Sequence, residues 1–255
     1  MRFSLFTFSF SFINMNIFQY TILVGALLSG GTLAFFLRKN TQQYLQLILS
    51  FSGAYIIGIT ALHLIPETFH DASASLGAWL LVGFFGQLVL EQLSKGIEHG
   101  HIHVPHQPNI GFVVQVMLGL SIHSFVEGMP LNVPVNSDLH HHDHSHLLWG
   151  IILHEMPASF ALISLLLSSG FRKSLVVVCL VLYASMSSLG ALTARWLAPS
   201  PEVSQIMMAL VIGTFLHIAT TILFEADSSQ HHHKIPYKKL LVIALGIGIA
   251  FLTLL

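Results

Sequence analysis

The chain has 255 residues, of which 54% are hydrophobic and 8% charged, and its mean hydropathy is +0.75. A soluble domain carries about 25% charged residues, so the composition excludes a soluble fold and points to a bilayer. The formal charge of −1 argues against a nucleic-acid partner, and the single cysteine, Cys179, excludes an intramolecular disulfide.

Residues 1–16 alternate Phe and Ser after an early Arg2 and lack a small-residue cleavage site. They read as an N-terminal extension with no assigned function, and a start at Met15 would leave the downstream plan intact. A spanning helix needs about 20 mostly apolar residues. Eight such runs follow, at 17–37, 45–66, 74–95, 110–131, 147–168, 174–197, 203–224 and 238–255. The expected fold is therefore all-α: a polytopic membrane protein forming a single transmembrane domain over residues 1–255. Small residues such as Ser52-Gly53-Ala54, Gly58, Gly83 and Gly86 are expected to let these helices approach closely.

Arg38, Lys39, Lys95, Arg172, Lys173, Lys234, Lys238 and Lys239 fall on one side of this plan, and only Arg2 and Arg195 on the other. By the positive-inside rule the first group is cytoplasmic and both termini face outside. The His-rich loop 96–109 is then cytoplasmic and the His-rich loop 132–146 external, in a cell membrane, plasma or inner.

Histidine is over-represented, at 17 residues against 10 lysines and arginines together. Imidazole is both the commonest metal ligand and a titrating group near neutral pH, so the enrichment suggests metal handling or pH sensing. Charged groups inside spans are the informative exceptions, because a carboxylate at mid-bilayer costs about 2.5 to 3.5 kcal/mol even on the lenient insertion scale. The fourth span carries His123 and Glu127, and the fifth His154 and Glu155. Residues i and i+4 share a helix face, so His123 and Glu127 can aim at one point.

His154 and Glu155 are adjacent and diverge by about 100° on a regular helix. Pro157, with no N–H for the carbonyl of residue 153, is expected to loosen the helix where they sit, and Pro130 to do the same for Val126. Two imidazoles and two carboxylates form an N2O2 set suited to tetrahedral Zn2+, while Fe2+, Mn2+ and Cd2+ fit the same donors. Two helices joined by His–Glu hydrogen bonds without any metal would use the same side chains.

Other intramembrane polar residues have weaker claims. His63 and Glu67 flank Pro66 at the external end of span two and form a candidate entrance. His217 and Glu225 in span seven form a candidate exit, and Glu91 is expected near the cytoplasmic interface, within reach of water and outside the site. The loop tracts 99–106 and 140–146 read as flexible metal collectors, with the shorter run 231–233 a weaker case.

These motifs together resemble the ZIP (Zrt/Irt-like) family of metal transporters. His123-Ser124-Phe125-Val126-Glu127-Gly128 is similar to the family's span-four motif and His154-Glu155-Met156-Pro157 to its span-five motif. The stretches 61–67 and 213–217 are similar to parts of its second and seventh spans. The resemblance implies a 3+2+3 helical bundle with the metal site between helices four and five, often assembled as a homodimer. It also implies gradient-driven movement of zinc or a related divalent ion toward the cytoplasm by alternating access, the metal being substrate and not cofactor. Two departures from the pattern are Ser124 and Ala158, and span six offers only Ser185, Ser187 and Ser188 where some members add a carboxylate, so a single transport site is expected.

Two rival readings use the same residues. A membrane-embedded zinc hydrolase would take Glu127 or Glu155 as general base, but the span-five motif is not H-E-x-x-H and no G-x-S-x-G stretch occurs. A metal or pH sensor without transport would suit the histidine loops. No G-x-x-x-x-G-K-[ST] phosphate loop is present, which argues against an ATP-driven pump and against enzymatic function of that kind.

Overall fold

The computed structural model describes residues 15–37, 41–70, 74–100, 109–132, 145–197, 199–225 and 237–254. Among these the fold is entirely helical. The helices are α1 (Ile17–Phe36), α2 (Thr41–Ile59), α3 (Ser75–Ser94), α4 (Ile110–Gly128), α5 (Ser145–Ser168), α6 (Lys173–Leu197), α7 (Pro201–Glu225) and α8 (Tyr237–Leu252). Helix α2 runs on through a π-helical turn, Thr60–Leu64, into a short segment, Ile65–Phe69.

Seven of these stretches are long and apolar enough to cross a membrane. The eighth expected span becomes α8, whose 16 residues rise about 24 Å, short of a hydrocarbon core of about 30 Å. The extension ends where α1 begins. Asn16 caps α1 by accepting from the Gln19 N–H at 2.9 Å while its own N–H donates to Gln19 Oε1 at 2.9 Å, and the Met15 N–H donates to Asn132 Oδ1 at 2.7 Å.

The helices pair as α1 with α5, α2 with α8, α3 with α7 and α4 with α6. Exchanging α1, α2 and α3 with α6, α7 and α8, and α4 with α5, maps these four pairings onto one another. That is the pattern of two internal repeats around a central helix pair, a common transporter plan. The close pairings rest on glycine. A Cβ on Gly83 would overlap the Leu210 carbonyl and one on Gly213 the Leu80 carbonyl, binding α3 to α7; Gly128 and Gly190 do the same between α4 and α6. Gly86, by contrast, faces open space, which corrects the expectation that it serves packing.

Helix α5 is the most enclosed of the spans and α3 among the least. The exposed face of α3 carries Trp79, Leu81, Val82, Phe85, Leu88 and Val89, a surface matched to lipid tails. Beyond α3 the chain reverses sharply, with Lys95, Gly96 and Gly100 all at positive φ (60°, 70° and 82°). This reversal tucks a 3-10 turn, Ile97–His99, into the bundle against α5, and all three side chains are buried.

Candidate metal centre

Helix α4 presents His123 and Glu127 one turn apart on its buried face. Helix α5 brings His154 to meet them. His123 Nε2 lies 3.3 Å from His154 Nε2 and 3.4 Å from Glu127 Oε2. The ligand atoms of His123, Glu127 and His154 all lie within 4.8 Å of one another, and all three residues are buried.

Glu155 takes a different neighbour, as adjacent residues on a helix should. Its Oε2 accepts from Ser187 Oγ on α6 at 2.5 Å, and Ser187 Oγ sits 2.7 Å from Ser124 Oγ. It thus stands beside the three-residue cluster, braced by serines from α4 and α6. Helix α5 stays continuous through Pro157. Pro130 falls in the 3-10 turn Met129–Asn132 that closes α4, and the Val126 carbonyl there accepts from the Met129 N–H, so that carbonyl is not freed as expected.

Several buried atoms here have no hydrogen-bond partner: both oxygens of Glu127, Oε1 of Glu155 and Nδ1 of His154. A buried carboxylate such as that of Glu127, whose nearest partner is His123 Nε2 at 3.4 Å without hydrogen-bond geometry, costs several kcal/mol. A divalent cation among these donors would offset that cost, and the mixed imidazole and carboxylate set is the one zinc takes. The other nitrogen of His123 is committed. Nδ1 lies 3.0 Å from Gln87 Oε1 on α3, and an N–H there leaves the Nε2 lone pair facing the cluster.

Gln87 in turn donates through Nε2 to Glu98 Oε2 at 2.5 Å. Burial pushes the Glu98 carboxyl up to about 8, so the turn carries a neutral acid near pH 7. Sequence reasoning missed both residues. A lone amide in an apolar span looks like helix glue, and Glu98 is masked by the histidines that follow it.

The remaining expected residues fall into two groups at opposite ends of α5 and α7. His63 lies in the π turn of α2, buried, with Nε2 2.8 Å from Thr253 Oγ1 and its ring stacked on His146 at 5.1 Å between centroids. Glu67, its expected companion, is exposed one turn on. His217 pairs with Glu91 on α3, Nε2 to Oε2 at 2.7 Å. Glu91 therefore faces inward, its side chain 15% exposed, where interfacial solvent was expected. The side chain of Glu225 and the histidines at 101–106, 140–144 and 231–233 lie outside the described residues.

A polytopic helical bundle with acid and imidazole groups buried where α4 meets α5 defines an integral membrane protein with a polar centre inside its bundle. The chain belongs to the ZIP zinc transporter family, whose model matches residues 104–254. It is 26% identical over 181 residues to zinc transporter ZIP9 of Xenopus tropicalis, covering 65% of this chain and 58% of that protein. It is 24% identical over 218 residues to zinc transporter YKE4 of Saccharomyces cerevisiae, covering 72% of this chain and 62% of that protein. With protein zntD of Dictyostelium discoideum it shares 28% identity over 176 residues, which span 63% of this chain and 25% of that protein. The chain thus spans less than two thirds of the length of these relatives.

Proposed function

We propose that this protein carries a divalent transition metal, zinc first, across the membrane toward the cytoplasm. The ion is held by His123, Glu127 and His154, with Glu155 alongside as the fourth donor. The observation that carries this reading is the convergence of three buried ligand atoms within 4.8 Å, beside carboxylate oxygens that have no hydrogen-bond partner. The zinc transporters named above support the choice of ion. Fe2+, Mn2+ and Cd2+ would compete for the same donors.

Transport proceeds by gradient-driven alternating access around a single site. The serines of α6 support one site: Ser187 supplies Glu155 with a hydroxyl donor, and no α6 carboxylate stands ready for a second ion. The two-fold pattern of helix pairings, the plan of transporters built from internal repeats, supports alternating access. Outside termini are inferred from the basic residues gathered on one side, and the inward direction from the family resemblance.

The test uses purified protein in sealed vesicles loaded with a zinc-sensitive dye. Influx falls to the protein-free background in His123→Ala and in Glu127→Ala, while both variants keep the thermal stability of the parent. Zinc binding by the parent without flux would instead make the protein a sensor.

A further inference from the structure

We propose that Glu98 is a positioning residue for the metal: acting through the amide of Gln87, it holds His123 in the tautomer that leaves Nε2 bare for the ion. The inference rests on the reading of His123 as a ligand given above. The three side chains form a line from the turn Ile97–His99, across α3, to α4. Gln87 Nε2 donates to Glu98 Oε2 at 2.5 Å, and Gln87 Oε1 lies 3.0 Å from His123 Nδ1. Glu98 and Gln87 are 0% exposed and His123 1%, so bulk water reaches none of them.

An amide has a donor end and an acceptor end of nearly the same shape, and its partners decide which way it points. A carboxyl oxygen on the turn accepts, so it draws the Gln87 NH2 toward itself and turns the amide oxygen to the ring. His123 Nδ1 must then donate, which places the ring proton there and leaves Nε2 with its lone pair. A reversed amide would present its NH2 to Nδ1 and send the ring proton to Nε2. That atom stands 3.3 Å from His154 Nε2 and 3.4 Å from Glu127 Oε2, where a bound cation would have to lie. His154 has no comparable support, because its Nδ1 makes no hydrogen bond. Control from the turn therefore falls on one of the two imidazoles.

Packing alone does not call for an acid at position 98. An apolar side chain of similar size would fill the space without the cost of taking a carboxyl group out of water. The backbone nevertheless brings this acid inward, with Lys95, Gly96 and Gly100 all at positive φ. The reach from α3 to α4 is also held short. Gly119 lies one turn before His123, and a Cβ there would meet the Ser94 nitrogen at 2.8 Å and the Leu90 carbonyl oxygen at 2.9 Å. The amide of Gln87 thus spans a fixed gap between the turn and the ring.

The experiment compares zinc affinities of the full chain in lipid nanodiscs, by competition with a chromophoric chelator. The binding lost in His123→Ala identifies the site. Glu98→Leu should weaken that binding about tenfold, the lower end for a partner outside the ligand shell. In a Gln87→Ala background the same substitution should change nothing further, since Glu98 acts only through the amide. A turn that matters for packing alone would weaken binding equally in both backgrounds, and thermal unfolding of each variant reports the fold. The 15N spectrum of the metal-free, histidine-labelled protein reads the tautomer directly, with the His123 signals found by their loss in His123→Ala. The parent must carry the proton on Nδ1, and Glu98→Leu must move it to Nε2. A parent with its proton on Nε2, unchanged affinity in folded Glu98→Leu, or equal losses in the two backgrounds overturns the proposal. If His123→Ala loses no zinc, the transport-site reading fails, while the tautomer measurement still decides what Glu98 does.

Discussion

At the scale of single residues, the proposed metal centre would depend on a neutral amide as much as on its acids. Gln87 Oε1 meets His123 Nδ1 at 3.0 Å, which fixes the ring and leaves Nε2 to coordinate. Partners of this kind are worth about 10- to 100-fold in metal affinity. Gln87→Ala is therefore expected to raise the half-saturating zinc concentration for uptake by about that factor, with the maximal rate less affected. Unchanged affinity would mean that packing alone orients His123. The juxtaposition of His123, Glu127 and His154 was legible because charge inside an apolar span is anomalous on sight, and an i, i+4 spacing has one geometric meaning; that Glu155 turns to Ser187 was not. Gln87 was not, since its partner lies on another helix and an uncharged amide raises no alarm. Glu91 was misjudged for a related reason: its position near the end of α3 suggested water, but His217 arrives from α7, more than a hundred residues later.

At the scale of elements, the spans could be read because each must be apolar for its whole length, whatever it packs against. What could not be read is where backbone departs from the helix. The π turn at Thr60–Leu64 and the buried turn at Ile97–His99 both answer to neighbours that the local sequence does not reveal. Glycine shows the same limit. Gly83 and Gly86 sit in one helix three residues apart and look equivalent in sequence, yet only Gly83 lies against another backbone, that of Leu210. Gly83→Ala should lower stability by about 1 to 3 kcal/mol, the usual cost of overpacking, and Gly86→Ala should leave it unchanged or slightly raised. Thermal unfolding of the two variants in the same detergent compares them directly, and equal effects would show that the α3 and α7 backbones are not in contact.

At the scale of the whole molecule, the polar groups are ordered along the bundle. His63 and His146 stack near the start of α5; His154 lies eight residues further in, a rise of roughly 12 Å. Glu91, His99 and His217 lie toward the end of α3, beside Lys95. Assigning one end to a compartment is a step of the proposed topology, which rests on the basic residues: Lys95, Arg172 and Lys173 fall at the end that holds Glu91. Single-cysteine reporters in a Cys179→Ala background test it. Asn136→Cys, between α4 and α5, should react with a membrane-impermeant maleimide on intact cells, while Lys173→Cys, at the start of α6, should react only after permeabilisation. The reverse pattern would put the stacked His63 and His146 in the cytoplasm, so that an ion moving from them toward Glu91 would be leaving the cell. The donor sets would be unchanged by that outcome, because ligand geometry carries no sense of direction; only the charge asymmetry of the loops does.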